Sequence, residues 1–194
     1  AELGAGVVVM DDGFQNGSLR HDLALVVVDG GYGFGNGRVI PAGPCREEVA
    51  EGLARAQAVV LIGDDLAGVG ARLAGKTVLR DRLEPGPEGA AVRGAQVVAF
   101  AGIGRPDKFF ATLRQCGAEL AGAHAFADHH AYGRAEIERL LAQAEAAGAS
   151  LWTTAKDVVR LPPDLRARVR VLSVALVWDD PAQLDRVLAG MKWP

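Results

Sequence analysis

Ala58-Val59-Val60-Leu61-Ile62-Gly63-Asp64-Asp65 sets five apolar residues against a stop of glycine and two acids. A run so short and so continuous suits a β-strand covered on both faces. Two earlier stretches share this grammar. Residues 7–10 (Val-Val-Val-Met) end in Asp11-Asp12-Gly13, and residues 23–28 end in Asp29-Gly30-Gly31. Between the second and third runs lie a Gly-rich loop at 30–37 and the string Pro41-Ala42-Gly43-Pro44. A helix is expected next, because Val49, Leu53 and Ala56 fall on one face. Alternating strands and helices predict an α/β fold with a parallel sheet.

Residues 77–84 read as a strand leaving this unit. Pro85-Gly86-Pro87-Glu88-Gly89 then interrupts any regular structure. The expected division is a first domain at 1–84, a linker at 85–96 and a second α/β domain at 97–194. The second domain opens with a strand at 97–101. A helix starts near Pro106, points Phe109, Phe110 and Leu113 inward, and stops at Gly117. A segment at 125–130, which would turn His129 and His130 to opposite faces if it is extended, precedes a helix at 135–147 with Ile137, Leu140, Leu141 and Ala144 as its apolar stripe. Strands are expected at 151–154 and 169–178, and Pro181 opens a last helix carrying Leu184, Val187 and Leu188.

The 49% apolar content is enough for a real core, and the net charge of −3 gives no reason to expect nucleic-acid binding. Cys45 and Cys116 stand far apart, outside any CxxC or Cys/His cluster, and read as reduced thiols. No secretory signal is present, and no apolar run approaches the roughly 18–20 residues that span a bilayer. The chain opens Ala1-Glu2-Leu3 without Met, and reads as a piece of a longer sequence.

Five strings, with Arg46-Glu47 taken beside the second, carry groups with chemical potential. Asp11-Asp12-Gly13-Phe14-Gln15 puts carboxylates after an apolar run, where α/β proteins bind ligands and where a Mg²⁺ ligand belongs. An aspartate turn is the plain alternative. Gly33-Phe34-Gly35-Asn36-Gly37-Arg38 can meet a phosphate, or can simply be a flexible loop; it lacks the GK[ST] of a phosphate-binding P-loop. Arg46-Glu47 adds a cation and a carboxylate, or a solvated helix start. Gly102 and Gly104, at a strand-to-helix turn, let backbone N–H groups approach an anion, or merely permit the turn. Asp128-His129-His130 is dense in acid/base and metal-binding groups. Thr153-Thr154-Ala155-Lys156-Asp157 offers a lysine to a phosphate, or a surface Lys156–Asp157 pair; its surface reading is preferred.

In this order these strings resemble the tetraacyldisaccharide 4'-kinase family. DDGFQ at 11–15, GFGNGR at 33–38 and PAGP at 41–44 carry the resemblance, and it covers nearly the whole chain. The resemblance implies the remainder of a P-loop NTPase-like parallel-sheet core, followed by a smaller C-terminal α/β domain, with the active site in a cleft between them. It implies transfer of the ATP γ-phosphate, with Mg²⁺, to the 4'-hydroxyl of a lipid A disaccharide 1-phosphate. The enzyme would work as a monomer on the cytoplasmic face of a Gram-negative inner membrane. By position Asp11 and Asp12 resemble the metal pair, Arg46 and Glu47 a pair near phosphates and metal, and Asp128 and His129 the catalytic histidine segment.

The departures matter as much. Of the features the resemblance implies, the Walker-A lysine loop of the core, the acidic motif that pairs with the histidine and the anchoring helix are read as absent from these 194 residues. Ala155 stands where the family usually has Glu, and Asn16 where His is common. The chain alone is therefore expected to be inactive. A non-catalytic fragment or degenerate homologue is one alternative. A manganese phosphoesterase of the Asp-His-His type is another, weakened because only His21, His124, His129 and His130 are available.

Overall fold

The computed structural model describes residues 6–191. The chain forms two compact units. One comprises Ala1–Leu83 with Leu176–Pro194, and the other Glu84–Ala175.

The first unit is built on β1 (Leu25–Asp29), β2 (Ala58–Ile62) and β3 (Thr77–Pro85). β1 and β2 run parallel, as do β2 and β3. The helix α1 (Val49–Arg55) lies between β1 and β2 in sequence. β2 is the strand buried on both faces, and its side chains alternate between two cores. Val59 and Leu61 pack with Val28, Leu53, Val69 and Leu73. Ala58 and Val60 pack with Leu79 and with Trp178, Leu184 and Val187.

The second unit holds β4 (Gln96–Ala101), α2 (Pro106–Gln115), β5 (Glu119–Ala125), α3 (Arg134–Ala146), β6 (Ser150–Thr154), the single-turn α4 (Ala155–Val158) and β7 (Arg170–Leu172). Its sheet has the order β5-β4-β6-β7 and is parallel throughout. β4 divides its side chains cleanly. Val98 and Phe100 face Ile137, Leu140, Leu141 and Ala144 of α3, while Val97, Ala99 and Ala101 face Phe109, Phe110 and Leu113 of α2.

The expected α/β class with parallel sheets is what forms, but four local expectations change. Residues 7–10 are not a strand; Val8 and Val9 are 74% and 90% exposed. A β-branched run needs a neighbour to take up its backbone hydrogen bonds, and this one has none among the described residues. β1 is likewise covered on one face only, with Val27 61% exposed. The run at 169–178 splits at Ser173. β7 joins the second sheet, whereas β8 (Val174–Trp178) joins the first, in the order β1-β2-β3-β8. Ser173 is the pivot, accepting the Gly86 N–H on its carbonyl and donating its hydroxyl to Glu88. Consequently α5 (Pro181–Ala189) groups with the first unit. The division at 1–84 and 97–194 changes accordingly, because 85–96 packs into the second unit through Val92. Residues 126–130 form a turn, so the condition that would set His129 and His130 on opposite faces of a strand is not met.

Candidate functional site

In the first unit, Asp11 and Asp12 form a turn in which Asp12 adopts a left-handed backbone, φ 53°. This turn is bound to the segment before α1. Arg46 grips Asp12 with both terminal nitrogens, at 3.0 and 2.8 Å. Planar guanidinium and carboxylate groups match in this two-pronged geometry. Gln15 donates to Glu47 at 2.8 Å, and Arg55 donates to both Glu47 oxygens at 2.5 and 2.8 Å. Arg55 also lies 5.0 Å from the centre of the Phe14 ring. Arg55, with Gln15 adding to it, holds the Glu47 carboxyl below the ordinary carboxylate range. Asp11 is exposed and has no side-chain partner among the described residues. Asp11, Asp12, Gln15, Arg46 and Glu47 rim an open groove of about 1270 Å³ whose wall includes Val26, Val27 and Leu53.

The structure thus links Asp12 to Arg46 and places Glu47 beside them, held by Gln15 and Arg55. It adds Gln15 and Arg55, which the sequence reading did not single out as partners of Glu47. Their signal was faint: Gln15 closes the DDGFQ string, and Arg55 lies two turns along α1 from Glu47. The loop at 30–37 is neither open nor loose. Its N–H groups bond within the loop, from Gly33 to Asp29, Gly35 to Tyr32 and Gly37 to Phe34. Asn36 ties it down through the Ala42 carbonyl and the Arg38 N–H.

In the second unit, Gly102 ends β4, and its N–H donates to the buried carboxylate of Asp157 at 3.2 Å. That N–H is not available for an anion. The glycine is required for another reason: a Cβ there would lie 2.7 Å from the Tyr132 hydroxyl and 3.1 Å from the His130 Cβ. Gly104 is exposed, two residues before the start of α2.

His129 and His130 part company. His129 has a left-handed backbone, φ 58°, and its side chain is 89% exposed. Its N–H donates to Asp128 Oδ1 at 3.0 Å and to the Gly102 carbonyl at 3.1 Å. The Asp128 carboxylate stays 3.9 Å from the His129 ring nitrogen. His130 instead stacks on Phe126 at 4.8 Å, meets Tyr132 edge-on and shares a 2.7 Å bond with Glu136. The divergence comes from the turn, not from the alternation of an extended strand. The three side chains do not converge, and no group of three or more metal-ligating residues exists among the described residues. Asp157, read from sequence as a surface partner of Lys156, is fully buried. Burial pushes the Tyr132 hydroxyl, which donates to Asp157, well above the ordinary phenol range. No helix among the described residues is long and apolar enough to cross a membrane.

Comparisons with known proteins agree with one another. A family model described as tetraacyldisaccharide-1-P 4'-kinase matches residues 1–192. The tetraacyldisaccharide 4'-kinase of Paramagnetospirillum magneticum is 65% identical over 94% of this chain and 57% of its own length. That of Rhodospirillum rubrum is 57% identical over 96% of this chain and 59% of its own length. The chain therefore spans somewhat more than half the length of these curated relatives. A crystal structure of LpxK from Aquifex aeolicus in complex with ATP superposes with a TM-score of 0.61 at 22% identity, over 91% of this chain and 55% of that one. This likeness shows a shared fold. Nothing in these comparisons favours the phosphoesterase alternative.

Proposed function

This chain belongs to the tetraacyldisaccharide-1-P 4'-kinase family, and from that membership we propose that it supplies part of the site of a lipid A 4'-kinase. In the reaction the 4'-hydroxyl oxygen of a tetraacylated disaccharide 1-phosphate bonds to the γ-phosphorus of ATP. The bond from that phosphorus to the bridging oxygen breaks, ADP leaves, and the hydroxyl proton passes to a base. Such transfers depend on positioning and charge stabilisation. The acyl chains of the substrate put this chemistry at a membrane surface, the cytoplasmic face of the inner membrane.

The observation that carries the reading is the clamp of the Asp11–Gln15 turn onto Arg46 and Glu47. Two strings separated by some 30 residues form one charged rim, and Asp11 is left facing solvent. Mg²⁺ is commonly held by one or two carboxylates plus phosphate oxygens, and an unpartnered Asp11 beside a fixed Asp12 fits that requirement. When bound, the ion would neutralise charge on the phosphate oxygens. Arg46 and Glu47 would orient the phosphates and the metal's waters, and Gly104 offers an approach to an anion near the start of α2. Asp128 and His129 would act on the hydroxyl proton, His129 being the exposed imidazole of the pair.

The test is a chimera. The matching segment of the Paramagnetospirillum enzyme is replaced by this chain, and phosphate transfer from ATP to the disaccharide 1-phosphate is measured. The chimera is expected to turn over, and the isolated chain is not: its GxxxxGK[ST] string, Gly70–Thr77, leaves a short helical turn and runs into β3, whereas a phosphate-binding loop joins a strand to a following helix. Asp11→Asn should lower kcat by about 10²-fold or more at saturating Mg²⁺, with an unchanged melt. His129→Ala should cost about 10²–10⁴-fold and His130→Ala far less. Near-normal turnover of the Asp11 variant would make that residue a turn former and remove the metal assignment.

A further inference from the structure

Asp157 is fully buried, and hydrogen-bond donors surround its carboxyl group. Its Oδ1 accepts from the Gly102 N–H at 3.2 Å, the Tyr132 hydroxyl at 2.9 Å and Arg160 Nη2 at 2.5 Å. Its Oδ2 accepts from the Thr154 hydroxyl at 2.7 Å. A buried carboxylate persists only when paired and hydrogen-bonded in this way. Arg160 extends the network to the Gly102 carbonyl at 2.9 Å and the His130 carbonyl at 3.3 Å.

Both polar ends of Gly102 are therefore held, the N–H by Asp157 and the carbonyl by Arg160. The same carbonyl accepts the N–H of His129 at 3.1 Å. His129 is the non-glycine residue of this unit with a left-handed backbone. Such a conformation survives only where its surroundings over-determine it. The network ends on both sides of the strained residue, at Gly102 and at the His130 carbonyl, while the His129 imidazole stays in solvent.

We propose that Asp157, with Arg160 and Tyr132, is a positioning group that fixes the Asp128-His129 turn so that the imidazole meets its target in one orientation. The catalytic purpose rests on the kinase reading above; the structural coupling does not. Asp157 touches no reacting atom. It acts through the Gly102 peptide.

The first experiment uses the chain alone, by residue-level amide exchange and by the His129 amide–Hα coupling in NMR. Asp157→Asn should speed exchange at His129 and Gly102 about tenfold more than at Phe100 and Leu151. It should also shift the His129 coupling away from its left-handed value. Tyr132→Phe should act in the same direction, more weakly. Uniform acceleration through the unit, or an unmoved His129, would reduce Asp157 to a stabilising residue and overturn the proposal. If Asp157→Asn does not fold, Tyr132→Phe decides by the same readouts. The second experiment uses the chimera. There Asp157→Asn should lower kcat by about 10²-fold, as small misplacements of a catalytic group do, with KM for ATP within about twofold. An unchanged kcat with a displaced turn would overturn the positioning role. An unmutated chimera without activity would instead sink the kinase reading, and the exchange pattern would still decide the coupling.

Discussion

Asp157 and Asp81 are both withdrawn from solvent, 0% and 3% exposed, one in each unit. Asp157 has four side-chain and backbone donors around it. Asp81, on β3, has none among the described residues: neither carboxylate oxygen meets a hydrogen-bond partner there. The sheets differ in the same sense. In the second unit β4 is sealed between α2 and α3, every residue from Val97 to Ala101 being buried. In the first unit only β2 is sealed, and Val27 on β1 and Val7, Val8 and Val9 remain open. The second unit surrounds Asp157 with donors and seals its central strand, though His124 Nε2 is buried without a partner among the described residues and Val159 is exposed; the first leaves Asp81 and the valines of its outer strand and leading segment without such cover. Apolar runs of the same composition thus end in different states, according to what packs on them.

The contrast can be broken most directly at the centre of the sealed sheet. Phe100→Ala should destabilise the second unit by about 3–5 kcal/mol, since it empties a site lined by Tyr132, Ile137 and Leu140. Residue-level amide exchange during denaturant titration measures this. A loss below about 1 kcal/mol would show that the sealed unit tolerates cavities and is less tightly packed than its burial indicates.

His130→Ala comes next, at about 1–3 kcal/mol, because it removes the Phe126 stack and the bond to Glu136. His129→Ala, at an exposed side chain, should stay within about 0.5 kcal/mol. Equal losses would mean that the two histidines share one structural task, contrary to their placement.

The orphan aspartate gives a smaller effect of opposite sign. Desolvation, with Asp179 adding repulsion, pushes the Asp81 carboxyl above the ordinary carboxylate value. The folded state then binds the proton more tightly than the unfolded state. Its contribution to stability is greatest below the unfolded value and is lost as pH rises through the folded one. Asp81→Asn should remove this slope and raise the melting temperature of the first unit at neutral pH by about 2–4 °C, equivalent to roughly 1 kcal/mol. A melt compared at pH 4 and pH 8 decides it; an unchanged slope would mean that Asp81 reaches water.

Smallest is Val27→Ala, expected within about 0.5 kcal/mol because the side chain is exposed on β1. A cost comparable with Phe100→Ala would show that the open face of the first sheet is covered in solution, and the comparison between units would then dissolve.

Local chemistry was legible without coordinates. Continuous apolar runs at Ala58–Ile62 and 97–101 announced buried parallel strands. Pro106 and Pro181 announced helix starts, because a residue without an N–H suits the first turn. The strings at 11–15 and 46–47 showed which ionisable groups were present, while whether they serve a turn, a helix start or a ligand stayed open along the chain. Tertiary structure decided what depends on partners distant in sequence. Residues 7–10 have the composition of a strand but no strand partner among the described residues, so the hydrogen bonds that define a strand do not form there. The run at 169–178 divides between two sheets because Ser173 is held by Gly86 and Glu88, residues nearly 90 positions earlier. Asp157 is buried rather than paired with Lys156, because its four donors come from positions 102, 132, 154 and 160. Periodicity and capping act over a few residues and can be read along the chain. The worth of a buried charge or an unpaired strand is set by desolvation and by partners that only the folded chain brings within 3 Å or so.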